Sequence, residues 1–326
     1  MKLYIFSICK DEAETIGELL DRMPKNIKGI DKIERLVISD GSKDDTVKIA
    51  KAKGAEVIAG VNQKRLAFRF EQAMDYVLSH GADIAVNIDG DLQFMPEDIP
   101  KMVEPILSGE ADFVAADRFT DLETGKRRKP KNMPTNKYYA NRIGSFIVGL
   151  LSGESFRDVT CGFRAYSKKA MLALNLNSEY TYTQESFQVL AMKKMNIKAI
   201  PTDVKYYKGR KSRVVTNFLQ FMVNSAINIL RGFRDFAPLK FFFWLGGIPS
   251  LVGVVFSIFT IGYWLTTGSF SPYKFLGFTG LYLFSLGIII WVVGLVADML
   301  HRVLRNQEKI LEKIKGQNIE SFKDKK

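Results

Sequence analysis

The sequence predicts an α/β fold, a mostly parallel sheet covered on both faces, followed by a two-helix transmembrane hairpin. Three observations predict it. Short apolar runs alternate with helix-length segments through residues 2–116, at the spacing of βαβ units. Acidic residues collect where those apolar runs end, and open parallel sheets bind ligands beyond the carboxyl ends of their strands. Finally, the 33 residues 241–273 and the 23 residues 275–297 contain no Asp, Glu, Lys or Arg.

The elements follow in order. Residues 2–8 (KLYIFSI) read as a first buried strand, and DEAETIGELLDRM as the acidic start of a helix. Leu36–Ser39 is a second strand, Asp45–Lys53 a helix, Glu56–Ala59 a third strand and Ala67–Leu78 a helix. Ile84–Ile88 is the fourth strand, Glu97–Leu107 a helix that follows Pro96, and Asp112–Ala116 the fifth strand. These belong to a cytoplasmic domain over residues 1–212. Val214–Phe233 has apolar residues at helical spacing and basic ends, so residues 213–236 read as an amphipathic interface helix. The charge-free stretches give two spans, about 238–265 and 275–297 within 237–298, since a spanning helix needs roughly 20 apolar residues. Their short linker TTGSFSPYK forces an antiparallel hairpin. Residues 299–326 form a cytoplasmic amphipathic helix and tail that could join subunits of a homo-oligomer. Arg231, Arg234 and Lys240 before the first span, and Arg302, Arg305 and Lys309 after the second, put both termini in the cytoplasm by the positive-inside rule.

Charge is as uneven as apolarity. The 326 residues carry 47 Lys and Arg against 35 Asp and Glu, a net +12. Residues 126–142 hold seven basic residues and no acid, residues 204–240 a net +7, and residues 298–326 a net +3, leaving −5 elsewhere. No helix-turn-helix, zinc finger or RNA-binding aromatic motif accompanies the basic zones, so nucleic acid is not the expected partner. Two cysteines and two histidines exclude a disulfide scaffold and a histidine-rich metal site. No G-x-G-x-x-G follows the first strand and no G-x-x-x-x-G-K-[ST] occurs, which removes the main support for dinucleotide oxidoreductases and P-loop NTPases.

Three strand ends carry the candidate chemistry. The first is followed by Asp11 and Glu12, the second by Asp40-Gly41-Ser42-Lys43-Asp44-Asp45-Thr46, and the fourth by Asp89-Gly90-Asp91-Leu92-Gln93. In an extended turn alternate residues face one way, so Asp89, Asp91 and Gln93 can converge oxygen ligands on a hard cation, Mg²⁺ or Mn²⁺. Such a cation would neutralise a diphosphate leaving group.

These motifs, with the hairpin, resemble family-2 glycosyltransferases of the type-A nucleotide-sugar fold. More closely, the chain is similar to membrane-anchored polyprenyl-phosphate glycosyltransferases, the dolichyl-phosphate mannose synthase and undecaprenyl-phosphate glucosyltransferase group. Asp40, Gly41, Ser42, Asp44 and Thr46 match that family's Asp-Gly-Ser-x-Asp-x-Thr, which implies that Asp40 touches the base or ribose. Asp89, Asp91 and Gln93 match its metal motif, with Pro96-Glu97 after it, and Asp117-Arg118-Phe119 its phosphate-binding arginine segment. Asp158–Ala165 resembles its Asp-x-x-Ser-Gly-Phe-Arg stretch, with Cys161 in place of Ser. Ile8, Cys9, Lys10, Asp11 and Glu12 stand where the family has Pro-x-Tyr-Asn-Glu, so only Glu12 matches closely. Ser212-Arg213 resembles the Ser-Lys that closes the donor site, with Lys208, Arg210 or Arg213 in place of a displaced arginine.

The resemblance implies metal-dependent, inverting transfer of a hexose from a UDP- or GDP-sugar to a polyprenyl phosphate, at the membrane of a prokaryotic cell. The donor would lie against Ile8, Lys10, Glu12, Asp40, Ser42, Asp89, Gly90, Asp91, Ser212 and Arg213. Catalysis would rest on Asp91 and Arg118, and Arg118, with Lys137 and Arg142 from the basic loop, would hold the acceptor phosphate. Residues 120–136, rich in Lys, Arg and Pro, would close as a lid, and loss of the Arg118 side chain should cut turnover without unfolding the protein. Two alternatives stay open: transfer to a hydroxyl with Glu185 as general base, and a non-catalytic nucleotide-binding scaffold.

Overall fold

The computed structural model describes residues 1–64, 66–176, 182–207 and 218–323. It contains seven strands: β1 (Lys2–Cys9), β2 (Lys32–Ser39), β3 (Glu56–Ala59), β4 (Ile84–Asn87), β5 (Phe113–Asp117), β6 (Arg164–Ser167) and β7 (Ile197–Pro201). They form one sheet in the order β3-β2-β1-β4-β6-β5-β7. β4 and β5 are buried at every position, which is why they read as unbroken apolar runs rather than alternating ones.

The first five strands match the expected ones within a few residues; β2 starts four residues earlier than its apolar run, on half-exposed positions. β6 and β7 were not expected. β6 runs antiparallel between β4 and β5, with Asn87 opposite Arg164 on one side and Ala115 opposite Arg164 on the other. An antiparallel strand begins where its parallel neighbours end. The segment leading into β6, residues 158–163, therefore arrives at the carboxyl edge of the sheet. That edge is also where the chain order reverses: β1 has β2 on one side and β4 on the other, the arrangement that opens a ligand crevice.

Seven helices cover this sheet: α1 (Ile16–Arg22), α2 (Thr46–Ala52), α3 (Leu66–Ser79), α4 (Ile99–Leu107), α5 (Thr135–Ser152), α6 (Lys168–Ala173) and α7 (Thr183–Met192). The expected helix at 97–107 divides into a 3₁₀ turn, Pro96–Asp98, and α4. Leu3, Ile5, Val37, Val86 and Val114 from the strands pack against Ile16, Leu19, Met102 and Val103 from α1 and α4, each side chain contributing about 1.5–3 kcal/mol of burial. The α6 start is capped by Ser167, whose Oγ accepts from the Ala170 N–H at 3.1 Å.

Three more helices follow, α8 (Phe218–Phe236), α9 (Pro238–Thr267) and α10 (Lys274–Lys323). The chain divides into two compact units, Met1–Ile229 with Leu311–Lys326, and Leu230–Ile310. In the first, the end of α10 packs on the α6–α7 region: Lys193 Nζ lies 2.6 Å from Glu312 Oε1, and Lys315 Nζ donates to Asn175 Oδ1 at 3.2 Å. The second is built on α9 and most of α10. A Cβ added at Gly253 would lie 2.6 Å from the Gly280 carbonyl oxygen, and one at Gly246 2.7 Å from that of Gly287. Small residues thus let the two backbones touch, the usual contact between helices that gain nothing from hiding apolar surface from lipid. Both helices are long and apolar enough to cross a membrane, with mean hydropathy 2.0 and 2.3, and only 17% and 11% of their apolar windows are buried. α10 runs unbroken through Asp298, whose carboxylate pairs with Arg302 one turn on, so the apolar stretch and the helix that follows it are one element.

Candidate functional site

The crevice is assembled from the ends of β1, β2 and β4, laced together by short polar contacts. The Asp40 N–H donates to the Cys9 carbonyl at 2.8 Å, joining β2 to β1. Asp11, in the left-handed region at φ 54°, donates its N–H to Ser42 Oγ at 3.0 Å and accepts the Lys43 N–H at 2.7 Å. The Glu12 N–H donates to Thr46 Oγ1 at 2.8 Å, and Thr15 Oγ1 donates to the Gly90 carbonyl at 2.7 Å. Ser42 is thus a brace between turns, and Thr15 ties α1 to the metal-motif turn.

Asp40 is less free than the sequence suggested. Its Oδ1 accepts from Arg69 Nε at 2.9 Å and from the Lys64 N–H at 2.7 Å, in a pair whose side chains are 12% and 5% exposed. Arg69 also reaches the Asn62 carbonyl, and a Cβ at Gly60 would lie 1.9 Å from its Nη2. The residues after β3 thereby fold over Gly41, which has φ 71° and whose added Cβ would meet the Gln63 N at 2.9 Å. Lys10 Nζ donates to Gln63 Oε1 at 2.5 Å, and Ile8 is half-buried at the end of β1.

At the end of β4, Asp89, Asp91 and Gln93 follow one another through a strained turn. Leu92 has φ 55°, unusual for a branched side chain. Asp91 Oδ1 accepts the Gln93 N–H at 3.1 Å. Burial and then the Asp91 charge push the Asp89 carboxyl up to about 7, against the pull of Arg118 and Arg164. Gly162, from the segment before β6, makes room for it: a Cβ there would lie 2.6 Å from Asp89 Oδ1. Among the described residues no three His, Cys, Asp or Glu cluster as a closed metal cage. Asp89 and Asp91, close enough for the charge of one to raise the pKa of the other, suit a hard cation that takes the rest of its shell from substrate phosphate and water.

Arg118 follows β5. It is 6% exposed and held by a fork: Nε and Nη2 donate to Asp158 at 2.6 and 2.8 Å, Nη2 to Thr160 Oγ1 at 2.7 Å and Nη1 to Tyr206 OH at 3.0 Å. Burial alone would raise the Asp158 carboxyl, yet Arg118 and Thr160 hold it below the usual range. Four of five guanidinium donors are thus spoken for, so removing Arg118 strands a buried carboxylate rather than only losing a phosphate contact.

Lys137 and Arg142 were expected on a loop and stand on α5 instead. Lys137, in its first turn, lies 5.2 Å above the Tyr206 ring; burial and then the Arg118 charge lower its pKa, opposed by Asp91, Asp158 and Asp89. Lys137, Arg118 and the two metal-motif aspartates therefore share one electrostatic neighbourhood. Arg142 instead covers the Tyr138 ring at 5.5 Å. The expected lid is folded: Arg128 pairs with Asp203, the Arg128 N–H donates to the Phe119 carbonyl at 2.8 Å, and Thr120 bridges to Arg127.

Sequence reasoning missed the residues that hold this floor. Arg164 is fully buried, with no carboxylate partner among the described residues. It donates to the carbonyls of Cys161, Val159 and Thr183 at 2.7, 3.0 and 2.8 Å, strapping the 159–162 turn to the start of α7. Asn87 Nδ2 donates to Tyr182 OH at 2.6 Å and to the Gly162 carbonyl at 2.7 Å. Glu185 sits in the first turn of α7, on the element these contacts anchor to β4. Asp158 and Arg164 lay inside a segment already singled out, but their partners are 40 and up to 19 residues away. Ser212, Arg213, Lys208 and Arg210 lie outside the described residues.

The chain is similar to known proteins. The chain is 27% identical over 242 residues to the UDP-N-acetylglucosamine–dolichyl-phosphate N-acetylglucosaminyltransferase of Methanococcus voltae, covering 68% of this chain and 90% of that one. It is 24% identical over 302 residues to the undecaprenyl-phosphate 4-deoxy-4-formamido-L-arabinose transferase of Sodalis glossinidius, covering 90% and 86%. Glucosyl-3-phosphoglycerate synthase from Mycobacterium tuberculosis, solved with Mn²⁺, UDP and glucosyl-3-phosphoglycerate, shares the fold at a TM-score of 0.52 and 18% identity, covering 72% of this chain and 79% of that one. Residues 4–174, just over half of the chain, match the model of glycosyl transferase family 2. The sheet whose β1–β4 switch point carries the paired aspartates thus belongs to a glycosyltransferase: this chain is a member of glycosyl transferase family 2.

Proposed function

We propose that the protein transfers a hexose from a nucleotide diphosphate sugar to a polyprenyl phosphate, with inversion at the anomeric carbon and with Mg²⁺ or Mn²⁺ bound by Asp89, Asp91 and Gln93. The carrying observation is the neighbourhood of Lys137, Arg118, Asp89 and Asp91, cations and carboxylates at one sheet edge. The apolar pair α9 and α10 and the relatives named as polyprenyl-phosphate transferases support a lipid acceptor. When bound, the cation neutralises charge on the departing diphosphate.

The chain's own residues do the rest. Asp40, oriented by Arg69, faces the nucleoside, with Ile8, Lys10, Glu12, Ser42 and Gly90 framing the donor and Ser212 and Arg213 closing it. A phosphate monoester has its second pKa near 6, so at neutral pH its oxygen is a ready nucleophile and needs no strong base. What it needs is collection and aim beside a second anion. Lys137 supplies a half-buried charge for this, Arg118 a fixed one with one N–H to spare, and Arg142 a peripheral one. The uridine nucleotide in the name of the Methanococcus relative makes UDP-hexoses the first donors to test, with GDP-hexoses second. In this reading residues 1–212 are the cytoplasmic catalytic domain, 213–236 an interface helix, 237–298 two spans that leave both termini in the cytoplasm of a prokaryotic cell, and 299–326 the cytoplasmic helix end and tail.

Purified full-length protein with Mn²⁺, a short polyprenyl phosphate and a panel of nucleotide sugars should form a lipid-linked sugar from one of them. Absence of product with every donor, while hydroxyl acceptors are glycosylated, overturns the proposal. The second reading, a hydroxyl acceptor, is favoured by the position of Glu185 in the first turn of α7. A hydroxyl would require Glu185 as base, so Glu185→Gln separates the two: turnover retained supports phosphate, turnover lost supports hydroxyl.

A further inference from the structure

α5 is turned inside out. Its buried face carries Asn141, Ser145 and Gly149 beside Tyr138 and Val148. From Tyr139 onward every exposed α5 residue is apolar: Tyr139 at 55%, Ile143 at 56%, Phe146 at 68% and Leu150 at 69%. At 3.6 residues per turn these four fall within a band of about 60° along a helix about 27 Å long. The polar interior is used, since Ser145 Oγ accepts the Val159 N–H at 3.1 Å and thereby fixes the segment that leads to Gly162. The apolar stripe has no such use within the described residues, and a contiguous apolar face of this kind marks an interaction surface.

Charge selects the occupant. Residues 126–142, which run into the stripe, hold seven Lys and Arg and no acid. A second copy docking here about a two-fold axis would bring this cationic zone against itself. An anionic bilayer offers the complement: acyl chains for the stripe, and lipid phosphates for the flanking cations. We propose that α5 lies in the headgroup–acyl boundary of an anionic membrane, with Tyr139, Ile143, Phe146 and Leu150 immersed. The consequence, which rests on the phosphate-lipid reading above, is that Lys137, two residues before the stripe, enters the site from the headgroup level, where an acceptor phosphate resides.

The two native cysteines are buried, so single cysteines at 143 and 146 can be labelled selectively with an environment-sensitive fluorophore, with Val61, 94% exposed, as the aqueous control. The full chain is reconstituted in nanodiscs of phosphatidylcholine with phosphatidylglycerol, with and without nitroxide-bearing lipid. Labels at 143 and 146 should emit as in an apolar medium and be quenched by the lipid nitroxide, while the label at 61 is not. Emission at 146 matching that at 61 overturns the proposal, as does an apolar signal that lipid nitroxide fails to quench, which would identify a protein partner. In a second arm Ile143→Glu with Phe146→Glu should raise KM for a long-chain polyprenyl phosphate in bilayers by about tenfold or more, as lost apolar burial dictates, and leave KM for a short soluble isoprenyl phosphate unchanged. Equal KM changes for both acceptors overturn it. If no variant, wild type included, transfers sugar to phosphate, the functional reading fails while the quenching result stands on its own.

Discussion

At the scale of single residues, the site is governed by which charges have partners. Asp89 ionises near 7 in the metal-free fold, whereas an unfolded aspartate does so near 4. Its contribution to stability is thus fully present below about pH 4 and is lost as pH rises to about 7. A divalent cation relieves that cost only when Asp89 is ionised. Mn²⁺ should therefore raise Tm more at about pH 8 than at about pH 5.5, and the pH dependence of that rise should vanish in Asp89→Asn, which should also lose about 10²–10³ in turnover; an equal Mn²⁺ shift at both pH values would refute it. Arg118 behaves differently. Arg118→Ala leaves Asp158 buried and unpaired, a loss of about 3–5 kcal/mol, and denaturant titration should show it. Adding Asp158→Asn should recover part of the stability and none of the activity. Both motif positions were legible in the sequence; the Arg118–Asp158 pair was not, because nothing in either segment names a partner 40 residues away.

At the scale of elements, glycines mark where backbones or side chains must approach. Gly162→Ala would drive a Cβ into the buried Asp89 carboxylate, so this substitution should weaken Mn²⁺ binding and, as overpacking of the interior, lower the stability of the apo protein by about 1–3 kcal/mol, both measured by calorimetry. In the hairpin, Gly253→Leu should separate α9 from α10 and lower detergent-solubilised stability, since its neighbour is the Gly280 backbone and not a side chain that can turn away. The parallel strands were readable because full burial makes them continuous apolar runs. α5 was not: its polar residues face inward, so the ordinary amphipathic rule assigns it to a basic loop. β6 was missed because four residues carry no period, and its antiparallel direction is decided only by the neighbours it inserts between.

At the scale of the molecule, the net +12 is not a property of the whole surface. It is concentrated before and along α5 and around the apolar helices α9 and α10, while the turns that end β1, β2 and β4 are acidic. Attraction of an anionic lipid to these zones is screened by salt, so raising NaCl from about 0.05 to 0.5 M should raise KM for the polyprenyl phosphate; an unchanged KM would show that the cations do not collect it. The end of α10 adds a second link between distant parts of the sequence, because residues from Leu311 onward pack on the α6–α7 region of the catalytic unit. Truncation after Ile310 should lower Tm by about 2–4 °C for each kcal/mol those contacts contribute.

The sequence by itself determined the elements whose signals are local: buried strands, the acidic turns that end them, charge-free helices long enough to span a bilayer, and the family motifs at Asp40 and Asp89. Periodicity, turn chemistry and apolar length act over a few residues, so they survive in the order of the chain. Only the tertiary structure decided which charges are neutralised and which remain for substrate. Arg69 is committed to Asp40, Arg118 to Asp158 and Arg164 to backbone carbonyls, whereas Lys137 lies over the Tyr206 ring and α5 turns its apolar side outward. The physical reason is that the energy of a charge or an apolar side chain is set by its neighbours in space, and here the sheet order brings those neighbours from segments tens of residues apart.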